Sequence, residues 1–243
     1  MKVLLVYPNL RGMNMLPPAI ALFSAILKEH GHIVSLFDST DYPDPEGDEF
    51  NSDKAKEQNL NARPYDDTQL KVSYTDECVF KAFKKQITEF SPQLIAVSCT
   101  EDTFPTAISL LQSIKKVAPV IMGGVFPTFA PDLALTYPEV DMICVGEGEH
   151  LLAELCDRMN KDRPYDDIPG LYLKLRDGTI RKNPMGAPVQ MGKNPKLDLS
   201  IFKEGRLYRP MQGRVWRMFP LETHRGCPYK CAYCNSPSQQ DLY

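Results

Sequence analysis

Between residues 2 and 159, short and almost unbroken apolar runs alternate with stretches whose apolar residues recur every three or four positions. The runs are residues 2–7, 33–37, 94–99, 120–122 and 142–145, and the amphipathic stretches are 17–30, 77–90, 104–117, 128–135 and 149–159. A strand that is apolar on both sides must be covered on both faces. When a helix follows each such strand, the arrangement that covers them is a parallel sheet with helices on either side and right-handed crossovers. The chain is therefore read as α/β, a flavodoxin-like or Rossmann-like doubly wound parallel sheet, with strand order 2-1-3-4-5. The stretch 17–30 shows the pattern most clearly. Ile20, Leu22, Phe23, Ile26 and Leu27 form one stripe, and Gly31 stands where a left-handed residue commonly ends a helix.

The rest of the chain reads differently. Residues 39–75 are rich in Asp, Asn and Pro with little periodicity, which suggests either a functional insertion or a mobile surface segment. Residues 170–176 and 179–182 flank Asp177-Gly178, a hairpin signal. Residues 183–218 read as a connector, and 219–223 as a new short strand. The expected division is a first domain over 1–160, a hairpin and linker over 161–218, and the opening of a second domain over 219–243. The formal charge of −3 includes no basic block to neutralise a run of phosphates, so nucleic acid is not an expected partner. No apolar stretch reaches the roughly 18 residues that span a bilayer. The apolar start breaks at Tyr7-Pro8-Asn9 with no cleavage site after it, and it reads as a buried strand of a cytoplasmic protein.

The seven cysteines fall into two groups. Cys78, Cys99, Cys144 and Cys156 sit singly within apolar patterns and read as small core residues. Cys227, Cys231 and Cys234 form a C-x3-C-x2-C run beside Gly226 and Pro228. Three thiolates on one short loop can hold three irons of a cubane [4Fe-4S] cluster, leaving the fourth iron open to a small ligand. With His224 they also make a Cys3His set suited to structural zinc, so spacing alone leaves both metals open.

The wording around the run decides between them. Glu222-Thr223-His224-Arg225-Gly226-Cys227-Pro228-Tyr229-Lys230-Cys231-Ala232-Tyr233-Cys234 resembles the first-strand loop of radical S-adenosylmethionine (SAM) enzymes, whose pattern is C-x3-C-x-aromatic-C. The resemblance implies that Cys227, Cys231 and Cys234 bind a [4Fe-4S] cluster and that SAM chelates the fourth iron. SAM is then cleaved to methionine and a 5'-deoxyadenosyl radical. Tyr233, at the aromatic position, is placed near the adenine. His224 receives no cluster role.

The preceding unit resembles the cobalamin-binding domain found before the radical SAM domain in many of these enzymes. The resemblance rests on Tyr7-Pro8-Asn9, the helix ending at Gly31-His32, Ser98-Cys99-Thr100, Gly123-Gly124-Val125-Phe126-Pro127-Thr128 and Val145-Gly146-Glu147-Gly148-Glu149. It implies cobalamin contacts at Asn9, Ser98, Thr100, Gly123, Gly124, Thr128, Gly146 and Glu147, with Glu149 as a helix-capping carboxylate. The cobalt-ligating histidine of the Asp-x-His-x-x-Gly pattern is missing after the first strand, so no histidine is expected on cobalt. Phe126 stands where relatives often carry histidine. No G-x-G-x-x-G follows the first strand, which disfavours FMN or a dinucleotide. The residues after 218 would then begin the first strand of a radical SAM (β/α) barrel, truncated soon after its loop.

As a whole, the resemblance implies a cobalamin-dependent radical SAM enzyme that methylates an unactivated carbon or phosphorus. A small-molecule substrate and a ferredoxin or flavodoxin electron donor are implied with it. A chain cut this early would have little turnover alone. The alternatives are a ring-forming or rearranging relative, a cobalamin-binding module without catalysis, and a zinc-stabilised interaction protein.

Overall fold

The structure is a computed structural model, and it describes residues 1–11, 13, 15–43, 74–175 and 177–240. Most of the polar stretch expected at 39–75 therefore lies outside the described residues. The chain opens with β1 (Lys2–Tyr7), α1 (Pro18–Glu29) and β2 (Ile33–Asp38). It continues through α2 (Val79–Phe90), β3 (Leu94–Ser98), α3 (Phe104–Gln112) and β4 (Val120–Gly123). Then come α4 (Val125–Phe129), α5 (Pro131–Thr136), β5 (Met142–Cys144) and α6 (Glu149–Asn160). A hairpin of β6 (Leu171–Lys174) and β7 (Ile180–Lys182) follows.

Among the described residues the central sheet has seven strands in the order β2-β1-β3-β4-β5-β6-β7. The first five are parallel in the expected order, with Lys2 opposite Ile33, Val6 opposite Val97 and Ser98 opposite Gly123. The hairpin was expected outside the first domain, yet β6 pairs antiparallel with β5 and extends the same sheet. An open edge on β5 would leave a row of backbone donors and acceptors unpaired, and the hairpin covers it. At its turn Gly178 has φ +84°, and the Asp177 side chain accepts from the Thr179 N–H at 2.9 Å.

Strand residues alternate between two cores. Leu4, Val6, Ile95, Val97, Val120 and Met122 face α2 and α3, where Phe83 and Phe37 are almost fully buried. Val3, Leu5, Leu94, Ala96, Ile121 and Met142 face α1 and α6. Each such side chain, if large and fully buried, stabilises the fold by roughly 1.5–3 kcal/mol. Two sheet faces that are both buried explain why the strands read as solid apolar runs.

Several expectations are revised. The stretch 104–117 is helical only to Gln112. The stretch 128–135 is two helices that meet at Ala130, because Pro131 lacks the N–H to continue the first and instead begins the second. Cys78 is exposed at the start of α2, whereas Cys99, Cys144 and Cys156 are buried as expected. Burial pushes each of those three thiols up to about 12, with Glu149 adding to the effect at Cys144.

The connector is not aperiodic throughout. Its later part forms a hairpin of β8 (Tyr208–Met211) and β9 (Arg214–Arg217), turned by Gln212 and Gly213 at φ +55° and +77°. The strand expected at 219–223 does not form. Extended chain becomes a strand only where a neighbour completes its hydrogen bonds, and no ladder among the described residues includes this segment. Among the described residues, no helix is long and apolar enough to cross a membrane.

The connector also packs on the α1 side of the sheet, burying Phe202 and Leu207 in that core. Asp198 fastens it there, accepting from Ser24 Oγ at 2.6 Å and Lys28 Nζ at 2.5 Å. Burial opposes the charge, but hydrogen bonds from Lys28, Ser200 and Ser24 overcome it and lower the carboxyl from 3.8 to about 2. A depressed carboxyl contributes stability above its unfolded value and loses it as pH falls through the folded one. Asp198→Asn is therefore expected to cost roughly 2 kcal/mol in urea unfolding at pH 7. The difference from the parent should vanish as the pH is lowered from about 4 to about 2.

Candidate functional site

In an open parallel sheet the ligand crevice lies at the carboxyl ends of the strands, where the strand order reverses. Here the reversal falls between β1 and β3. On the α1 and α6 face the side chains shrink toward those ends. β3 goes from Leu94 to Ala96 to Ser98, and β4 from Ile121 to Gly123. Helices cannot follow the sheet into the space this leaves. The result is a cavity of about 680 Å³, lined by Leu5, Ala96, Ser98 and Ile121 of the sheet and by Ile20 and Phe23 of α1. That is the size range of small-molecule and cofactor sites.

The strand-end loops shape the mouth. Gly124 has φ +106°, and a Cβ there would lie 2.4 Å from the Cys99 carbonyl oxygen, so only glycine lets these two loops meet. A Cβ on Gly148 would lie 2.8 Å from the Phe23 ring, which forms part of the cavity wall. Thr128 accepts from the Gly146 N–H at 3.1 Å and ties the β4 loop to the β5 loop.

Of the expected cobalamin contacts, Ser98, Gly123, Gly124, Thr128, Gly146 and Glu147 line this one cavity. Asn9 and Thr100 do not. Asn9 is buried, and its N–H donates to Ser39 Oγ while Nδ2 donates to Thr40 Oγ1 and the Met13 carbonyl, each at 2.8 Å. It stitches the β1 loop to the β2 loop. Thr100 is exposed, and its N–H donates to Thr103 Oγ1 at 3.0 Å in the turn that opens α3. Phe126 packs on Phe104 with ring centroids 4.6 Å apart, in the core of the opposite face.

The cysteine run lies on an irregular loop after β9. Cys227 is half-buried, and Cys231 and Cys234 are exposed. The Cys234 N–H donates to the Cys231 carbonyl at 3.1 Å. Hydrogen bonding from Ser236 holds the Cys234 thiol below its ordinary value. His224 Nδ1 meets the Thr223 hydroxyl at 3.1 Å, and Tyr233 is 93% exposed. Among the described residues, no three metal-ligating side chains are gathered closely enough to enclose an ion. The donor set nevertheless suits a cluster. Three soft thiols share one short accessible loop, one of them already eased toward the thiolate.

The connection between the two regions has no counterpart in the sequence patterns. Phe219, Pro220, Leu221, Glu222 and Arg225, just before the cysteines, line the cavity together with the strand-end loops. Arg225 donates to Glu147 Oε1 at 2.6 Å, to Glu149, and to Glu222 through Nε and Nη2 at 3.0 Å each. Burial works against its charge, but the three carboxylates raise its pKa above the usual arginine range. Glu149, expected as a simple cap, stands in the first turn of α6 and also holds this arginine. Only Glu222-x-x-Arg225 is visible locally; the partners 76 and 78 residues away are not.

The α/β sheet thus carries a glycine-rimmed cavity at its switch point, with residues just before a three-cysteine run on one wall. Residues 59–156 match the B12 binding domain family. An uncharacterised methyltransferase from Pyrococcus horikoshii is 28% identical over 180 residues, covering 71% of this chain and 38% of that protein. The cytidylyl-2-hydroxyethylphosphonate methyltransferase of Streptomyces wedmorensis is 23% identical over 252 residues, covering 90% of this chain and 44% of its own length. Among solved structures, the radical SAM methyltransferase TsrM from Kitasatospora setae, with cobalamin and a [4Fe-4S] cluster bound, superposes with a TM-score of 0.59. That match is 23% identical and covers 97% of this chain and 41% of the other. Over its B12 binding domain match the chain is similar to these methyltransferases, and its fold is that of the cobalamin-binding radical SAM structure. It spans less than half the length of the relatives named.

Proposed function

We propose that the chain supplies the cobalamin cavity and the cluster loop of a radical SAM methyltransferase, and that the whole protein methylates an unactivated carbon or phosphorus centre of a small molecule. The observation that carries this reading is that residues 219–225, leading directly into Cys227, form a wall of the cavity that Ser98, Gly123 and Gly124 open. Two cofactor sites that share a wall suit a reaction in which both cofactors act on one substrate.

In this reading Ser98, Gly123, Gly124, Gly146 and Glu147 border the cobalamin, the glycines by leaving room for it to approach the backbone. Thr128 lines the same cavity, while Asn9 and Thr100 shape the loops around it. Cys227, Cys231 and Cys234 hold the cluster, and Tyr233 lies on the loop that faces SAM. When bound, the cofactors supply radical generation and methyl transfer; the protein binds, orients and shields them. The electron donor is proposed to be a ferredoxin or flavodoxin. Turnover is proposed for the whole protein, and cofactor binding for this chain.

The test is anaerobic reconstitution with iron, sulfide and hydroxocobalamin, followed by metal analysis and absorption spectra. The full-length protein is then given SAM labelled in its methyl group. Iron and cobalamin should both be retained, and label should appear in the product. Label absent from a product that has nonetheless formed would mean ring formation or rearrangement instead. One zinc with no iron and no cobalamin affinity would overturn the enzyme reading.

A further inference from the structure

We propose that Arg225 is a positioning residue that latches the cysteine loop to the rim of the cavity. Its guanidinium joins three segments: Glu147 in the loop after β5, Glu149 in the first turn of α6, and Glu222 on its own loop. The Glu147 and Glu149 side chains are only 11% and 5% exposed, and among the described residues their ion pairs are with Arg225. Glu147 also accepts from the Val189 N–H at 2.5 Å through its other oxygen, so one carboxylate fixes both the connector and the loop to the rim.

The chemistry requires this residue type. Two poorly hydrated carboxylates lie close together and need a cation that can reach both. A planar guanidinium with five donors spans carboxylates on different segments, whereas an ammonium offers a single point of charge. Without Arg225, Glu222 would face two like charges, and residues 219–225 would be driven off the mouth. Lining by Phe219, Pro220 and Leu221 would go with them. The latch thereby couples the two sites. A ligand that fills the cavity against this wall favours the docked loop, and a docked loop must favour that ligand by the same factor. The identity of the ligand rests on the function proposed above; the latch itself rests on the ion pairs.

Limited digestion of the cofactor-free 243-residue chain with a glutamate-specific protease tests the latch directly, because Glu222 is held by Arg225. In Arg225→Ala, cleavage after Glu222 should speed up about tenfold or more while the circular dichroism of the fold is unchanged. Arg225→Lys should restore part of the resistance to cleavage. Glu147→Gln combined with Glu149→Gln should release the loop without stranding buried charge, and so reads the latch even where the alanine variant does not fold. An unchanged rate of cleavage after Glu222 in the folded variants would overturn the proposal. Hydroxocobalamin titration followed by absorbance forms the second arm, with binding expected to weaken about fivefold in Arg225→Ala and to recover partly in Arg225→Lys. Equal affinities in parent and variant would overturn the coupling. Failure of the parent to bind hydroxocobalamin, with the cleavage difference intact, would instead overturn the identity of the ligand and leave the latch standing.

Discussion

Replacing any one of Cys227, Cys231 and Cys234 with alanine is expected to remove most of the iron the chain acquires on anaerobic reconstitution, while hydroxocobalamin binding persists. A cubane held by three thiolates loses a corner with each substitution, and two remaining thiolates on a short loop do not hold it. Uptake should fall from roughly four irons per chain to below about one. The loop has little other structure to lose. Cys231 and Cys234 are exposed, and none of the three cysteines lines the cavity. Metal analysis and the visible absorption band check this. Iron uptake indifferent to all three substitutions would remove the cluster from the loop. A parent loaded with zinc would assign it to the Cys3His alternative.

The second large effect is expected at Gly124. In Gly124→Val the new Cβ would stand 2.4 Å from the Cys99 carbonyl oxygen and 3.1 Å from its nitrogen, both backbone atoms of the strand β3 end. Neither can rotate away, so the two loops must separate at the cavity mouth. The positive φ adds strain of roughly 1–3 kcal/mol. Urea unfolding should show a loss of about 3 kcal/mol or more, and hydroxocobalamin affinity should fall more than tenfold. Gly178→Ala is the control. It has φ +84° but nothing within 4 Å of the added carbon, so it should cost only the strain and leave cobalamin binding unchanged. Equal losses at the two glycines would show that conformation, and not the close approach of the loops, is what Gly124 provides.

The parallel sheet was readable because each strand is buried on both faces. Val3 and Leu4 point to opposite cores and both must be apolar. The short motifs at the strand ends were readable for a related reason. Gly124 marks where one backbone must approach another. Other features left no local trace. The β6–β7 hairpin was visible as a hairpin, but its choice of the β5 edge was not. The packing of Phe202 and Leu207 under α1 was hidden in a Pro-rich, aperiodic stretch. Asn9 and Thr100 carried the right residue types in the right loops, yet their hydrogen bonds go to neighbouring loop atoms.

From its sequence alone this protein's five-strand order follows, because burial on both faces is a local demand that neighbouring residues must meet together. Tertiary structure alone decided that the residues just before the cysteine run wall the strand-end cavity. The Arg225 contacts with Glu147 and Glu149 join residues more than seventy positions apart, and only the folded sheet brings those charges within reach.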